Sequence, residues 1–263
     1  MDTPLTDAGV LVLHVDDDAA FAELVELYLE RETPDVHVES VRSGAVALER
    51  LADEPAVDCV LSDYDMPGLD GLALLERVRE TYPTLPFVLY TGKGGEEIAA
   101  EAIGSGVSDY MQKGSGAAHF LTLGTRLKRE VARARAEAEK HTRLEALEAA
   151  REGICIVDAD GRFGYANRAY LDLYGYERAE LLGAPWQQLH TDAAVADIES
   201  EVLPHVAEHG EWGGESVGLR ADGTTVRESK SISALSDGGL VIVVTRQADS
   251  VDPSRAPRHE STG

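Results

Sequence analysis

Several short apolar stretches of this 263-residue chain end in residues whose types suit phosphoryl and metal chemistry. Asp16, Asp17 and Asp18 follow LVLHV; Asp63, Tyr64 and Asp65 follow VDCVLS; Thr91 closes LPFVLY; Lys113 follows VSDYMQ. Mg²⁺ takes oxygen ligands, uses one or two carboxylates, keeps waters and completes its shell with phosphate oxygens. Asp16, Asp17 and Asp63 supply such a set. An Asp carboxylate can also attack a phosphoryl group, while a metal and a lysine neutralise the transferring oxygens. Asp63 suits the attack and Lys113 the neutralisation.

These residues meet only if their elements bring them together. LVLHV (from Leu11), VHVES (from Val36), VDCVLS (from Val57), LPFVLY (from Leu85) and VSDYMQ (from Val107) read as five strands. Between them, AAFAELVELYLERE (from Ala19) and GLALLERVRETY (from Gly71) carry apolar residues at helical spacing. Strand and helix in alternation imply a doubly wound α/β domain, a five-stranded parallel sheet covered on both faces. In such sheets ligands collect outside the carboxyl ends of the strands, where the four chemical ends above all lie. Asp18 is expected to cap the first helix, and His14, inside an apolar strand, to be a core histidine.

With the Asp16-Asp17 pair, SDYDMPGLDG around Asp63, Thr91, Tyr110 and Lys113 all in order, residues 8–120 resemble the receiver domain of two-component response regulators. The resemblance implies a flavodoxin-like fold and phosphotransfer from a histidine kinase to Asp63. It also implies Mg²⁺ on Asp17 and Asp63, with Asp65 lending its backbone carbonyl. Thr91 would swing its hydroxyl onto the phosphoryl oxygen, and the Tyr110 ring would rotate into the vacated space. Gly114 departs from the commonest pattern, which has proline after the lysine, so no cis X-Pro bond can form there. Two alternatives stand beside this: a haloacid-dehalogenase-like phosphatase using Asp63-x-Asp65, and a ligand sensor with a degenerate receiver.

Residues 121–152 lack proline and are rich in Ala, Leu, Glu and Arg, which predicts a long helical connector. Its charges suggest the pairs Arg126 with Glu130, Arg133 with Glu137 and Glu139 with Arg143. Leu127, Val131, Ala134 and Ala138 form a thin stripe suited to a parallel partner helix, hence a homodimer through residues 121–152. A single helix packed on its own receiver fits the same stripe. His141 stands in this helix without a phosphoacceptor box or a following Gly-rich ATP-lid segment, which speaks against a histidine kinase.

From Gly153 the pattern changes to strand and turn. GICIVDADGRFGYAN reads as a hairpin, Asn167 as a helix N-cap with Gly175 ending RAYLDLY, and DAAVADIESEVLPHVAEHG (from Asp192) as a longer helix. Strands follow around Trp212 to Leu219, Val226 to Ala234 and Leu240 to Thr245. Residues 153–247 thereby resemble a PAS domain, an α+β fold with a five-stranded antiparallel sheet whose inner face takes a ligand or is simply packed. The ligand is unknown on sequence grounds. Cys155 lies in the first strand, outside any flavin-adduct-like motif; His205 and His209 share a helix face, and Trp186 and Trp212 are assigned to core space or a dimer contact.

The net charge of −24 comes from 24 basic and 48 acidic residues. Binding a nucleic-acid backbone needs clustered Lys and Arg, so direct nucleic-acid contact is not expected. Carboxylate excess with only five lysines looks like a salt-adapted cytoplasm. The start lacks a signal pattern and no apolar run approaches a membrane span, so a cytoplasmic protein is expected. Cys59 and Cys155 read as buried small hydrophobes, and the tail from 248 to 263 as disordered. The downstream partner is not legible.

Overall fold

The computed structural model describes residues 9–53, 57–92, 101–102 and 104–246. The expected disordered tail and the unpatterned first residues lie outside them. The chain divides into two compact units, residues 1–140 and 141–263.

The first unit contains strands β1 (Val10–Val15), β2 (Val36–Val41), β3 (Cys59–Ser62), β4 (Phe87–Thr91) and β5 (Asp109–Gln112), paired in parallel in the order β2-β1-β3-β4-β5. Helices α1 (Ala19–Glu32), α2 (Gly44–Asp53) and α3 (Gly71–Thr81) alternate with them. The third, fourth and fifth strands each start two residues later than the apolar runs suggest, because Val57, Leu85 and Val107 pack from the approaching loops.

Strand side chains alternate faces, and both faces of this sheet are buried. Val10, Val12, Cys59, Leu61, Val88 and Tyr90 enter one core; Leu13, Val15, Val60, Phe87 and Leu89 enter the other. Hence the strands read as continuous apolar runs. Asp18 caps α1 by accepting from the Ala20 and Phe21 amides at 3.0 and 3.2 Å, and Asp70 caps α3 through the Ala73 amide.

Helix α4 (Ala117–Ala149) begins four residues before the expected connector. Its residues Phe120, Leu123, Leu127 and Val131 are buried in the first of these cores. The apolar stripe proposed for a partner helix is thus half consumed by the protein's own sheet. The expected Arg126–Glu130 pair does not form: the Arg126 guanidinium reaches Asp109 at 3.2 Å, and buried Glu130 takes Arg129 and Arg133 at 3.0 and 3.2 Å. Burial decides this, since a carboxylate facing the core recruits whichever cations can close over it. His141 is exposed and pairs with Glu145 at 3.0 Å.

The second unit is built on strands β6 (Gly153–Val157), β7 (Phe163–Ala166), β8 (Glu211–Leu219), β9 (Thr225–Ala234) and β10 (Leu240–Arg246), antiparallel in the order β7-β6-β10-β9-β8. Helix α5 (Arg168–Tyr174) has Asn167 as N-cap and ends on left-handed Gly175, φ 76°. The Asn167 side chain also donates to the Leu147 and Glu152 carbonyls, both at 2.9 Å, tying the last turn of α4 to the start of the sheet. The long helix read from Asp192 forms as α6 (Asp192–Asp197), a π-helical turn (Ile198–Val202) and α7 (Leu203–His209) in succession. Both cysteines are buried and free. No helix among the described residues is long and apolar enough to cross a membrane.

Candidate functional site

The strand order reverses direction at β1 and β3, and these two strands run in register with Val15 opposite Ser62. One residue further, Asp16 and Asp63 stand side by side, held by the Asp63 amide donating to the Val15 carbonyl at 2.8 Å. Carboxylate oxygens of Asp16, Asp17 and Asp63 all lie within 4.8 Å of one another. Asp16 is buried, Asp63 nearly so, and Asp17 is exposed. This trio therefore offers hard oxygen ligands with one side open to solvent, which fits a cation that keeps waters and accepts phosphate oxygens.

Lys113 follows β5, two strands from β3, and its long side chain spans that distance. Its ammonium donates to Asp16 Oδ2 at 2.6 Å and to Asp63 Oδ2 at 2.9 Å, and it sits 4.5 Å from the centre of the Phe21 ring. Burial opposes its charge, yet the bonds to Asp16 and Asp63 outweigh that and raise its pKa. Burial raises the Asp16 pKa despite the Lys113 contact. A cluster of this kind repels itself without cations, so it is poised to hold a positive ion.

Thr91 ends β4, 1% exposed, and its carbonyl accepts from the Lys113 amide at 2.8 Å. Tyr110 is half-buried against the second core, and its buried hydroxyl has no hydrogen-bond partner among the described residues. Asp65 is exposed, two residues beyond Asp63. His14 is fully buried, as expected of a core histidine. Burial first, then the charges of Lys113 and Arg42, push it down to about 3, so its ring is neutral.

Two supporting positions carry roles that residue type alone did not announce. A Cβ on Gly71 would lie 2.3 Å from the Asp63 carbonyl oxygen, so only glycine lets α3 start this close to the acidic loop. A Cβ on Gly114 would lie 2.4 Å from His119 Nδ1. His119 fills that space, and its Nε2 is 2.9 Å from the Tyr90 hydroxyl. Sequence reading noted the missing proline at 114 but not the ring that takes its place.

A family model described as the response regulator receiver domain matches residues 12–125, and one described as the PAS fold matches residues 147–248. The chain joins a response regulator receiver domain to a PAS fold. The chain is 37% identical over 102 residues to the transcriptional regulatory protein SrrA of Staphylococcus aureus, an alignment covering 39% of this chain and 41% of that protein. The chain thus spans about two fifths of the curated relatives it matches. Among solved structures, a response regulator receiver domain protein from Clostridium thermocellum aligns with TM-score 0.44 at 22% identity, over 48% of this chain and 98% of that one. The PAS domain of a Colwellia psychrerythraea protein aligns with TM-score 0.39 at 24% identity, over 41% of this chain and 95% of that one.

In the PAS domain, His205 and His209 stack at 4.2 Å between ring centres, and His209 is exposed. Trp186 and Trp212, assigned from sequence to core or dimer contact, both border a partly open cavity.

Proposed function

We propose that the protein is a two-component response regulator that accepts a phosphoryl group from a histidine kinase on Asp63. The observation that carries this reading is the Lys113 ammonium bridging Asp16 and Asp63 within 2.9 Å, beside an oxygen cluster able to hold a cation. Asp16, Asp17, Asp63 and the Asp65 carbonyl would hold Mg²⁺, whose chemistry when bound is to neutralise phosphoryl oxygens and lower the repulsion met by an incoming anion.

In the transfer, a carboxylate oxygen of Asp63 forms a bond to phosphorus while the bond to the donor histidine nitrogen breaks. The electron pair stays on that nitrogen, which takes a proton from solvent. Lys113 would leave its bond with Asp63 and follow the charge onto the phosphoryl oxygens, a charge-assisted contact. Thr91 would donate its hydroxyl to the same group. The Tyr110 ring would then move into the vacated space. Helix α4, packed in the receiver core through Phe120 and Leu127, is the element through which such a change would pass onward.

With Mg²⁺ and acetyl phosphate, intact-mass spectrometry of the wild type should show one added phosphoryl group, labile to base, and Asp63→Asn should show none. Equal labelling of both would overturn the assignment. Lys113→Ala should retain some labelling yet lose any conformational response to it.

A further inference from the structure

Strand β9 breaks the rule that a buried sheet face is apolar. Its buried positions alternate as Val226, Glu228, Lys230 and Ile232, so two opposite charges stand on the inner face of the PAS sheet. Glu228 is 0% and Lys230 4% exposed. Lys230 Nζ bonds Glu228 Oε1 at 2.9 Å and His190 Nε2 at 2.9 Å. Glu228 further accepts from the Tyr174 hydroxyl and from Ser216 Oγ. Burial alone would raise Glu228, but the Lys230 charge and these bonds outweigh it and hold the carboxyl below its ordinary value. Well-packed apolar residues often replace such a buried pair at no loss of stability, so packing by itself does not call for it.

Of these residues, Lys230, His190 and Ser216 border a cavity of about 300 Å³, at the small end of ligand pockets; Glu228 stands behind Lys230 and holds it in place. Its walls are mainly apolar, with Phe163, Trp186, Trp212 and Ile232 among them. The opposite wall includes Ile198 and Val202, the two ends of the π-helical turn. Such turns are rare, interrupt regular helical bonding and are frequently found at functional sites. Two local irregularities, one in the sheet and one in the helix, therefore face a single space.

The polar groups define what that space accepts. His190 Nδ1 lies 3.1 Å from the Trp186 carbonyl, to which it donates, so Nε2 is the acceptor that Lys230 occupies. That lone pair is not open to a metal. An ammonium carries three N–H groups, of which Glu228 and His190 take two. Lys230 and Glu228 cancel in charge, and Asp197 and Glu215 also border the cavity, so its field disfavours anions.

We propose that this cavity binds an uncharged, mainly apolar molecule carrying one hydrogen-bond acceptor, which receives the third N–H of Lys230. The inference is independent of phosphotransfer at Asp63.

Three probes of similar size separate the terms: 2-acetylnaphthalene with an acceptor, 2-ethylnaphthalene without one, and anionic 2-naphthoate, each titrated calorimetrically into the full chain. The acetyl compound should bind roughly tenfold more tightly than the ethyl compound, the scale of one charge-assisted hydrogen bond, and naphthoate should be weakest. In Glu228→Gln/Lys230→Met, which keeps the net charge and removes the donor, the two neutral probes should bind equally. Ala194→Phe, which fills the cavity from the helical wall, should abolish binding of both. Tightest binding by naphthoate, an unchanged acetyl preference in the double variant, binding unaffected by Ala194→Phe, or no binding of the acetyl compound at about 1 mM would each overturn the proposal.

Discussion

The His119 imidazole stands where a side chain on residue 114 would have to go, with a Cβ there only 2.4 Å from Nδ1. The ring is also fixed by the Tyr90 hydroxyl at 2.9 Å and by edge contact with Phe120 at 5.6 Å. The loop after Lys113 is therefore matched to glycine by one neighbour.

Gly114→Ala should consequently destabilise the receiver by about 1–3 kcal/mol, the range for overpacking. In a His119→Ala background the same substitution should cost under about 0.5 kcal/mol. Urea denaturation of the four proteins of this cycle measures the coupling, and additive effects would show that His119 is not the obstacle.

The acidic cluster should make Mg²⁺ stabilising. At ten times its dissociation constant a ligand adds about 1.4 kcal/mol to the folded state, and Asp17→Ala should lose that gain with little change in the metal-free protein, because Asp17 is exposed. Lys113→Ala should behave in the opposite way. It leaves Asp16 and Asp63 uncompensated, so stability without metal falls and the Mg²⁺ increment grows. Thermal melts with and without Mg²⁺ distinguish the two patterns.

Along α4 the effect of a new charge should depend on position. Leu127 is 0% exposed and Leu144 is 41% exposed. Leu127→Glu should destabilise by about 3 kcal/mol or more through burial of an unpaired charge, whereas Leu144→Glu should stay within about 0.5 kcal/mol. Leu144→Glu is therefore the variant that tests helix pairing between two copies. If phosphorylation dimerises the protein through the connector, sedimentation will show a mass increase in the wild type that Leu144→Glu lacks. An unchanged mass in both removes the dimer and leaves a relay within one chain.

His190 should make the PAS domain sensitive to mild acid. Burial first, then the Lys230 charge, lowers its pKa from 6.5 to about 4. The folded value lies below the unfolded one, so the contribution is complete above about pH 6.5 and is lost as pH falls towards 4. The full effect is on the order of 3 kcal/mol. His190→Gln should flatten the stability profile between these values, as the difference between wild-type and variant denaturation curves will show. A parallel offset across the range would contradict the neutral, Lys230-bonded histidine.

Much of this architecture was legible because its determinants are local. Continuous apolar runs ending in Asp16, Asp63, Thr91 and Lys113 specify buried parallel strands with chemistry at one edge, and Asp18 and Asn167 cap helices through bonds only two or three residues long. The meeting of Asp16 with Asp63 follows from the order of β1 and β3, a regular consequence of how such sheets wind. Other relationships depend on separations that no period encodes. That Leu127 and Val131 serve the receiver core, that Arg126 turns to Asp109, and that His119 fills the space beside Gly114 are all settled by which surfaces become adjacent after collapse. The PAS cavity shows the division within one strand. The sequence VRESKSI by itself puts Glu228 and Lys230 on the face of Val226 and Ile232. Only the folded chain, by bringing His190 from 40 residues away to 2.9 Å from Lys230, turns two buried charges into the polar edge of a cavity, because a bond between distant segments exists only once the sheet and the helical wall have closed around it.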